Sequence, residues 1–165
     1  MTTSPAEAAR SAGPADVARL AALARRAAAE LRTERGGSLA VLGSATAEPP
    51  EAWFGARLAD EEYQLDVGTI DGVVVGYCAC RRSPLPDGTA LAVVEALYVE
   101  PEARTVGVGE VLLARVLVWS VQQGCRGVDA PALPGMRATK NFFERAGFVA
   151  RLLVMHRAND DPGGR

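Results

Sequence analysis

The sequence predicts an α/β domain of the α+β type: a twisted, mostly antiparallel mixed sheet with helices on both faces. Three observations carry that expectation. A hairpin pattern stands in the middle of the chain, with an alternating run before Asp71-Gly72 and a β-rich run after it. The order after it is strand, long apolar helix, strand, helix, strand, which puts helices on the faces of a sheet. The 165 residues suit one domain with a single well-sized core.

Met1 to Arg10 is small and polar and is expected to be disordered, and residues 158–165 are expected to fray in the same way. Between them, residues 11–157 read as one domain, with no repeat and no shift of composition at a boundary. Pro14 fits the first position of a helix and Asp16 its first turn. Val17, Leu20, Ala24, Ala27 and Leu31 then recur at three- and four-residue steps, with Arg19, Arg25, Arg26 and Arg32 between them. This is an amphipathic helix that ends before Gly36-Gly37. Residues 38–50 are mixed and are broken by Pro49-Pro50, and Glu51–Ala59 follows as a short helix that buries Trp53, Phe54 and Leu58.

Tyr63, Leu65, Val67 and Thr69 alternate with their neighbours as a strand, Asp71-Gly72 suits a type I′ turn, and Val73–Cys80 returns. Residues 83–88 form a loop, Thr89–Val99 is a further strand, and Pro101 closes it. Gly107–Gln123 is a long apolar helix ended by Gly124. A short strand at Arg126–Ala130, a helix at Met136–Ala146 ended by Gly147, and a last strand at Phe148–Arg157 complete the order.

Composition excludes several classes. A net charge of −2 is not that of a nucleic-acid binder. No apolar run is long enough to span a bilayer, and no signal-peptide core is present at the start, so a cytoplasmic chain is expected, with no membrane partner. All of the 18 basic residues except Lys140 are Arg, which reads as base composition rather than chemistry. Cys78, Cys80 and Cys125 fit no zinc spacing and read as reduced core residues, so no metal is expected. His156, the single histidine, reads as structural or exposed, and Trp53 and Trp119 as packing.

The most informative segment is a strand followed by Arg104-Thr105-Val106-Gly107-Val108-Gly109 and then a helix. The first N–H groups of a helix have no intrahelical partner and sit at its positive end, so they can hold a diphosphate. Glycines at 107 and 109 let phosphate oxygens approach the backbone, and Arg104 can add a charge-assisted contact. The spacing lacks the third glycine of a dinucleotide fold, and Gly109-Glu110-Val111 is not a Walker loop.

The stretch Val94 to Gly109 resembles the signature of the GNAT N-acetyltransferases, and Phe142-Phe143-Glu144-Arg145-Ala146-Gly147-Phe148 resembles that family's second motif. The opening Gly13-Pro14-Ala15-Asp16-Val17 is similar to its first-helix start. The resemblance implies central strands that splay near Val99 and Arg126, with acetyl-CoA as co-substrate in the gap. It implies backbone contacts from Leu97, Tyr98 and Val99 to pantetheine and acetyl. It further implies amide donors from Val106 to Glu110 to the pyrophosphate, and flanking positions at Thr139 and Lys140.

Glu95, a carboxylate within an apolar strand, is the candidate general base, the alternative being a strand glutamate that points to solvent or pairs with an arginine, and a two-residue period puts it on the face of Leu97 and Val99. The family's frequent acid is a tyrosine at position 143, where this chain has Phe143, and its upstream asparagine position holds Met136. Tyr98 is a substitute donor of opposite parity to Glu95. The expected activity is acetyl transfer from acetyl-CoA to a primary amine of a small molecule or protein, by a monomer or homodimer. The alternatives are a non-catalytic acyl-CoA-binding module and an acyltransferase for longer acyl chains, for which small Ala96 and Thr139 leave room.

Overall fold

The computed structural model describes residues 6–42 and 49–159. The expectations for Met1–Pro5, for part of the mixed segment before Pro49 and for the end of the tail lie outside them. Five strands form one sheet in sequence order: β1 (Glu7–Ser11), β2 (Tyr63–Ile70), β3 (Val73–Pro84), β4 (Ala90–Val99) and β5 (Val128–Asp129). All neighbours are antiparallel except β4 and β5. Helices α1 (Val17–Thr33), α2 (Gly37–Ala40) and α3 (Pro50–Leu58) precede the central hairpin, and α4 (Val108–Gln122) and α5 (Arg137–Arg145) follow β4.

The sheet separates two cores. On one face, Leu20, Leu23, Ala24 and Ala27 of α1 and Trp53 and Phe54 of α3 pack on Leu65, Val67, Tyr77 and Ala79. On the other, Val108, Leu112, Val116 and Trp119 of α4 cover Cys78, Cys80, Ala92 and Val94. Both strand cysteines are free and wholly buried, and Cys125 is free and half-buried. The period of α1 and the broad apolar surface of α4 therefore have the roles the sequence assigns them. The β2–β3 turn has positive φ at Asp71 and Gly72, as a type I′ hairpin requires.

Two contacts fix α4 on the sheet. At Gly68 a Cβ would stand 2.5 Å from Val108 Cγ1, so the start of α4 sits directly on the backbone of β2. Farther along, Arg115 Nη2 lies 2.9 Å from Asp66 Oδ1, and Asp66 is wholly buried. The Gln64 amide donates to both Asp66 oxygens at 2.9 and 2.8 Å, and Arg115 also donates to Ser11 Oγ at 2.9 Å. At the entrance to α1, the Asp16 carboxylate accepts from Gly13 N at 2.8 Å and from Arg10 at 2.7 and 2.9 Å. These bonds hold its pKa below the usual carboxylate value, the Arg10 contact first.

The structure corrects two expectations. Residues 7–10, read as disordered, belong to β1; the segment EAARS has little strand propensity, and its backbone pairing with β2 supplies the order. Phe148–Arg157, read as a last strand, has no regular structure. The segment is apolar enough for a strand, but β5 is two residues long and offers almost no ladder to pair with.

Removing the Asp66 charge leaves Arg115 partly buried without its partner. Asp66→Ala is expected to destabilise the fold by about 3 kcal/mol, because the stranded cation loses its neutralising partner. The double variant Asp66→Leu/Arg115→Leu should recover most of that loss. Urea unfolding of both proteins checks this: equal losses would mean that the ion pair does not anchor α4.

Candidate active site

The geometry of the site begins with a bulge. Along the β3–β4 ladder, Ala79 pairs with Ala96 but Cys80 pairs with Val94, so Glu95 is the extra residue of β4. A bulge leaves its extra residue outside the ladder and re-aims the side chain. Strict alternation would place Glu95 with Leu97 and Val99, both on the α4 side. Instead its carboxylate accepts from Tyr63 Oη at 3.1 Å and from Arg81 Nε at 2.9 Å. Tyr63 and Arg81 are direct partners across β2 and β3, and Tyr63 packs on the α1/α3 core. The expectation that Glu95 shares the face of Leu97 and Val99 is therefore corrected. So is the opposite parity of Tyr98, which packs in the α1/α3 core with Tyr77.

The surroundings of Glu95 are aromatic and basic. The Arg57 guanidinium lies 4.9 Å from the Trp53 ring centroid and 5.0 Å from that of Tyr63. Its Nε is buried without a hydrogen-bond partner. Burial raises the Tyr63 pKa, and the neighbouring Glu95 charge adds to the rise. Tyr63 and Arg81 were not legible as site residues. Counted straight back from the Asp71-Gly72 turn, Tyr63 would face Cys80; an irregularity between Gly68 and Thr69 moves it to Arg81.

Beyond the bulge, β4 separates from its parallel neighbour. β5 pairs only at Ala92–Val128 and Val93–Asp129, so Val94 to Val99 have no strand beside them on that edge. The splay implied by the family resemblance is present. At the end of the open edge, Val99 is buried and its carbonyl accepts from Arg104 Nε at 2.8 Å, while Leu97 is half-buried on the α4 side. Tyr98 Oη donates to Glu30 Oε1 at 2.9 Å, and Arg104 Nη2 donates to Glu30 Oε2 at 2.6 Å. Burial, then the bond to Glu30, pushes the Tyr98 pKa up to about 12.

The loop then turns into α4. Gly107 takes φ +95°, a left-handed conformation that a side chain would strain, and caps the helix. The first intrahelical donor is Val111, bonded to the Gly107 carbonyl at 3.1 Å. The N–H groups of Val108, Gly109 and Glu110 therefore have no partner within the helix. Those amides, an exposed Thr105 and a half-buried Val106 form a cradle that fits a diphosphate. Val108 is buried under the sheet and Glu110 is exposed. Arg104 is committed to Glu30 and Val99 rather than to this cradle.

α5 closes the far side. A Cβ at Gly109 would meet Phe142 Cε2 at 3.2 Å, so this glycine lets α5 approach the start of α4. Phe143 is buried, with ring centroids 5.3 Å from Phe142 and 5.2 Å from Phe148. Thr139 is half-buried, and Lys140 is exposed and pairs with Glu144 at 3.0 Å along the helix. Met136 caps α5, and His156 is exposed. Among the described residues, no cluster of His, Cys, Asp and Glu could hold a metal ion. No helix among them is long and apolar enough to cross a membrane.

Known proteins share the fold of this chain. The model of the acetyltransferase (GNAT) family matches residues 24–148. An aminoglycoside N-acetyltransferase AAC(6')-Iy, solved in complex with CoA, superposes with a TM-score of 0.75 at 16% identity, covering 98% of this chain and 99% of that one. The aminoglycoside acetyltransferase meta-AAC0020 from an uncultured soil metagenomic sample, in complex with sisomicin, gives 0.71 at 15% identity, covering 93% and 95%. A putative acetyltransferase from Agrobacterium tumefaciens str. C58 gives 0.68 at 21% identity, covering 92% and 99%. At these identities the likeness is one of fold. No curated protein sequence matches the chain.

The cradle yields a direct test. Gly107→Glu puts a strained side chain and a negative charge at the start of α4 and is expected to abolish CoA binding. Calorimetry on the variant, with near-UV circular dichroism to verify its fold, measures this. Undiminished CoA binding by a folded variant would remove the loop from the cofactor site.

Proposed function

Because the chain belongs to the acetyltransferase (GNAT) family, we propose that it transfers the acetyl group of acetyl-CoA to a primary amine of a small molecule or protein by direct attack. The observation that carries this reading is the juxtaposition of two features on one strand. Glu95 stands at a bulge of β4, and the open edge of that strand runs from there to the amide cradle at the start of α4. Acetyl-CoA bound along that edge has its diphosphate at Val108–Glu110 and its thioester beside the bulge.

Each step uses a group already described. The cradle amides and the end of the helix dipole neutralise the diphosphate. The unladdered backbone at the bulge offers an N–H toward the thioester carbonyl, where negative charge develops as the amine attacks. Glu95 takes the proton that the amine loses, directly or through one water. Tyr63 and Arg81 orient its carboxylate. The departing thiolate requires a proton or solvation. Phe143 has no hydroxyl to give, and Tyr98 is a poor donor because its pKa is raised and its hydroxyl is bonded to Glu30. We therefore assign that proton to solvent. Positioning of two bound substrates supplies much of the rate.

A second reading has its own observation. Glu95 is engaged by Arg81 and Tyr63, and position 143 lacks the tyrosine, as in a domain that binds acyl-CoA without turning it over. CoA release with a library of amines separates the two readings.

Glu95→Gln is expected to lower kcat by ~10²-fold with CoA affinity unchanged, as removal of a general base does. An unchanged kcat across pH would leave catalysis to positioning alone. Tyr63→Phe deletes one bond to Glu95 and is expected to lower kcat by roughly 5–10-fold, the equivalent of about 1 kcal/mol for one hydrogen bond. Steady-state kinetics with the best amine of the library measures both; equal kcat in wild type and Tyr63→Phe would exclude Tyr63 as a positioning residue.

A further inference from the structure

The half-buried arginines of this fold are paired with carboxylates: Arg19 with Glu100, Arg81 with Glu95, Arg82 with Glu62 and Arg115 with Asp66. Arg57, in the last turn of α3, is the exception. Among the described residues it is half-buried and has no ion pair. In place of a counter-ion it has two aromatic rings, Trp53 at 4.9 Å and Tyr63 at 5.0 Å from its guanidinium carbon. Such contacts offset only part of the cost of drawing a cation out of water.

Two orphaned donors accompany that charge. Arg57 Nε and, four residues earlier on the same helix, Trp53 Nε1 are both buried without a hydrogen-bond partner. Each of these nitrogens can only donate, and buried donors are nearly always satisfied. The end of α3 is therefore rich in donors and positive charge and poor in acceptors. Tyr63 joins it to the candidate base: its ring lies against Arg57, and its hydroxyl donates to Glu95 at 3.1 Å. Arg81 balances the charge of Glu95, which leaves Arg57 as one positive charge in excess beside the bulge.

Resting on the acetyltransferase reading above, we propose that the acceptor is a small amino acid whose carboxylate pairs with Arg57 while its amine faces Glu95. A carboxylate supplies acceptors only, and its two oxygens match the fork of a guanidinium. A cation fixed one tyrosine ring from the base lets the carboxylate set the position of the amine. In the transfer, the amine nitrogen forms the new amide bond as the C–S bond of acetyl-CoA breaks. Glu95 takes the proton that the nitrogen loses, and the CoA thiolate takes one from solvent. A polycationic amine, or a lysine side chain of a protein, lacks the carboxylate and meets the excess positive charge instead.

The test is CoA release with the proteinogenic amino acids, each beside its amide, and with an aminoglycoside. For the best amino acid, wild type is expected to favour the acid over the amide by roughly 100-fold in kcat/KM, as a charge-assisted two-pronged contact does. In Arg57→Gln that ratio is expected to fall to near one, and Arg57→Lys, which keeps the charge without the fork, should retain part of it. A merely structural role for Arg57 would lower acid and amide alike and leave the ratio standing, which overturns the proposal. So does a wild type that prefers the amides or the aminoglycoside. Calorimetry with CoA verifies that each variant is folded; if Arg57→Gln is not, the ratio in Arg57→Lys decides. Should no amine release CoA, the acetyltransferase reading fails, and calorimetry of the amino acids on the CoA-loaded protein decides the role of Arg57 separately. Binding that is lost in the Arg57 variants supports the carboxylate site, and no binding to wild type overturns it.

Discussion

Everything distinctive about the site depends on one extra residue in β4. Without it, Glu95 would point into the apolar layer beneath α4, where an unpaired carboxylate has no compensation. With it, the parity of the strand reverses, and the carboxylate meets a tyrosine and an arginine on the α1/α3 side. The same irregularity interrupts the ladder where β4 begins to lose its parallel neighbour. The bulge thus sets the direction of the charged group and lies beside the stretch of backbone left open for a ligand.

The rest of the fold can be read as support for that strand. α1 and α3 cover one face through small and aromatic residues, and α4 covers the other, so β4 is held from both sides while its edge stays free. α4 needs particular placement, because the unpartnered amides of its first turn are the proposed anion cradle. Gly68 allows it to rest on β2 without an intervening Cβ, and the buried Asp66 with Arg115 fixes its rotation. A second set of charges, Glu30 with Arg104 and Glu100 with Arg19 and Arg26, ties α1 to the end of β4 at the mouth of the gap. Arginine is suited to such forked contacts, so residues that composition made uninformative serve as cross-links between elements.

The segment after Phe148 shows how one strand-like composition can have two structural outcomes. Residues 149–155 are as apolar as a strand needs, yet β2 has partners on both edges and this segment follows a strand two residues long. Strand pattern describes a side chain's need for a covered face; it does not supply the face.

Local chemistry was legible in the sequence: the spacing of α1, the positive-φ turn at Asp71-Gly72, the glycine entrance to α4, and two motifs that resemble one family. These signals lie within a few residues of one another, and backbone stereochemistry fixes their meaning wherever the segment is placed. Strand parity, cross-strand partners and order at the ends were decided by tertiary structure. The residue facing Tyr63 depends on an irregularity at Gly68, and the direction of Glu95 on a bulge. Neither has a signature in its own segment, because a bulge is a relation between two strands. For the same reason β1 is ordered by pairing with β2 rather than by its own residues, while Val149–Met155, apolar enough for a strand, pairs with no strand among the described residues.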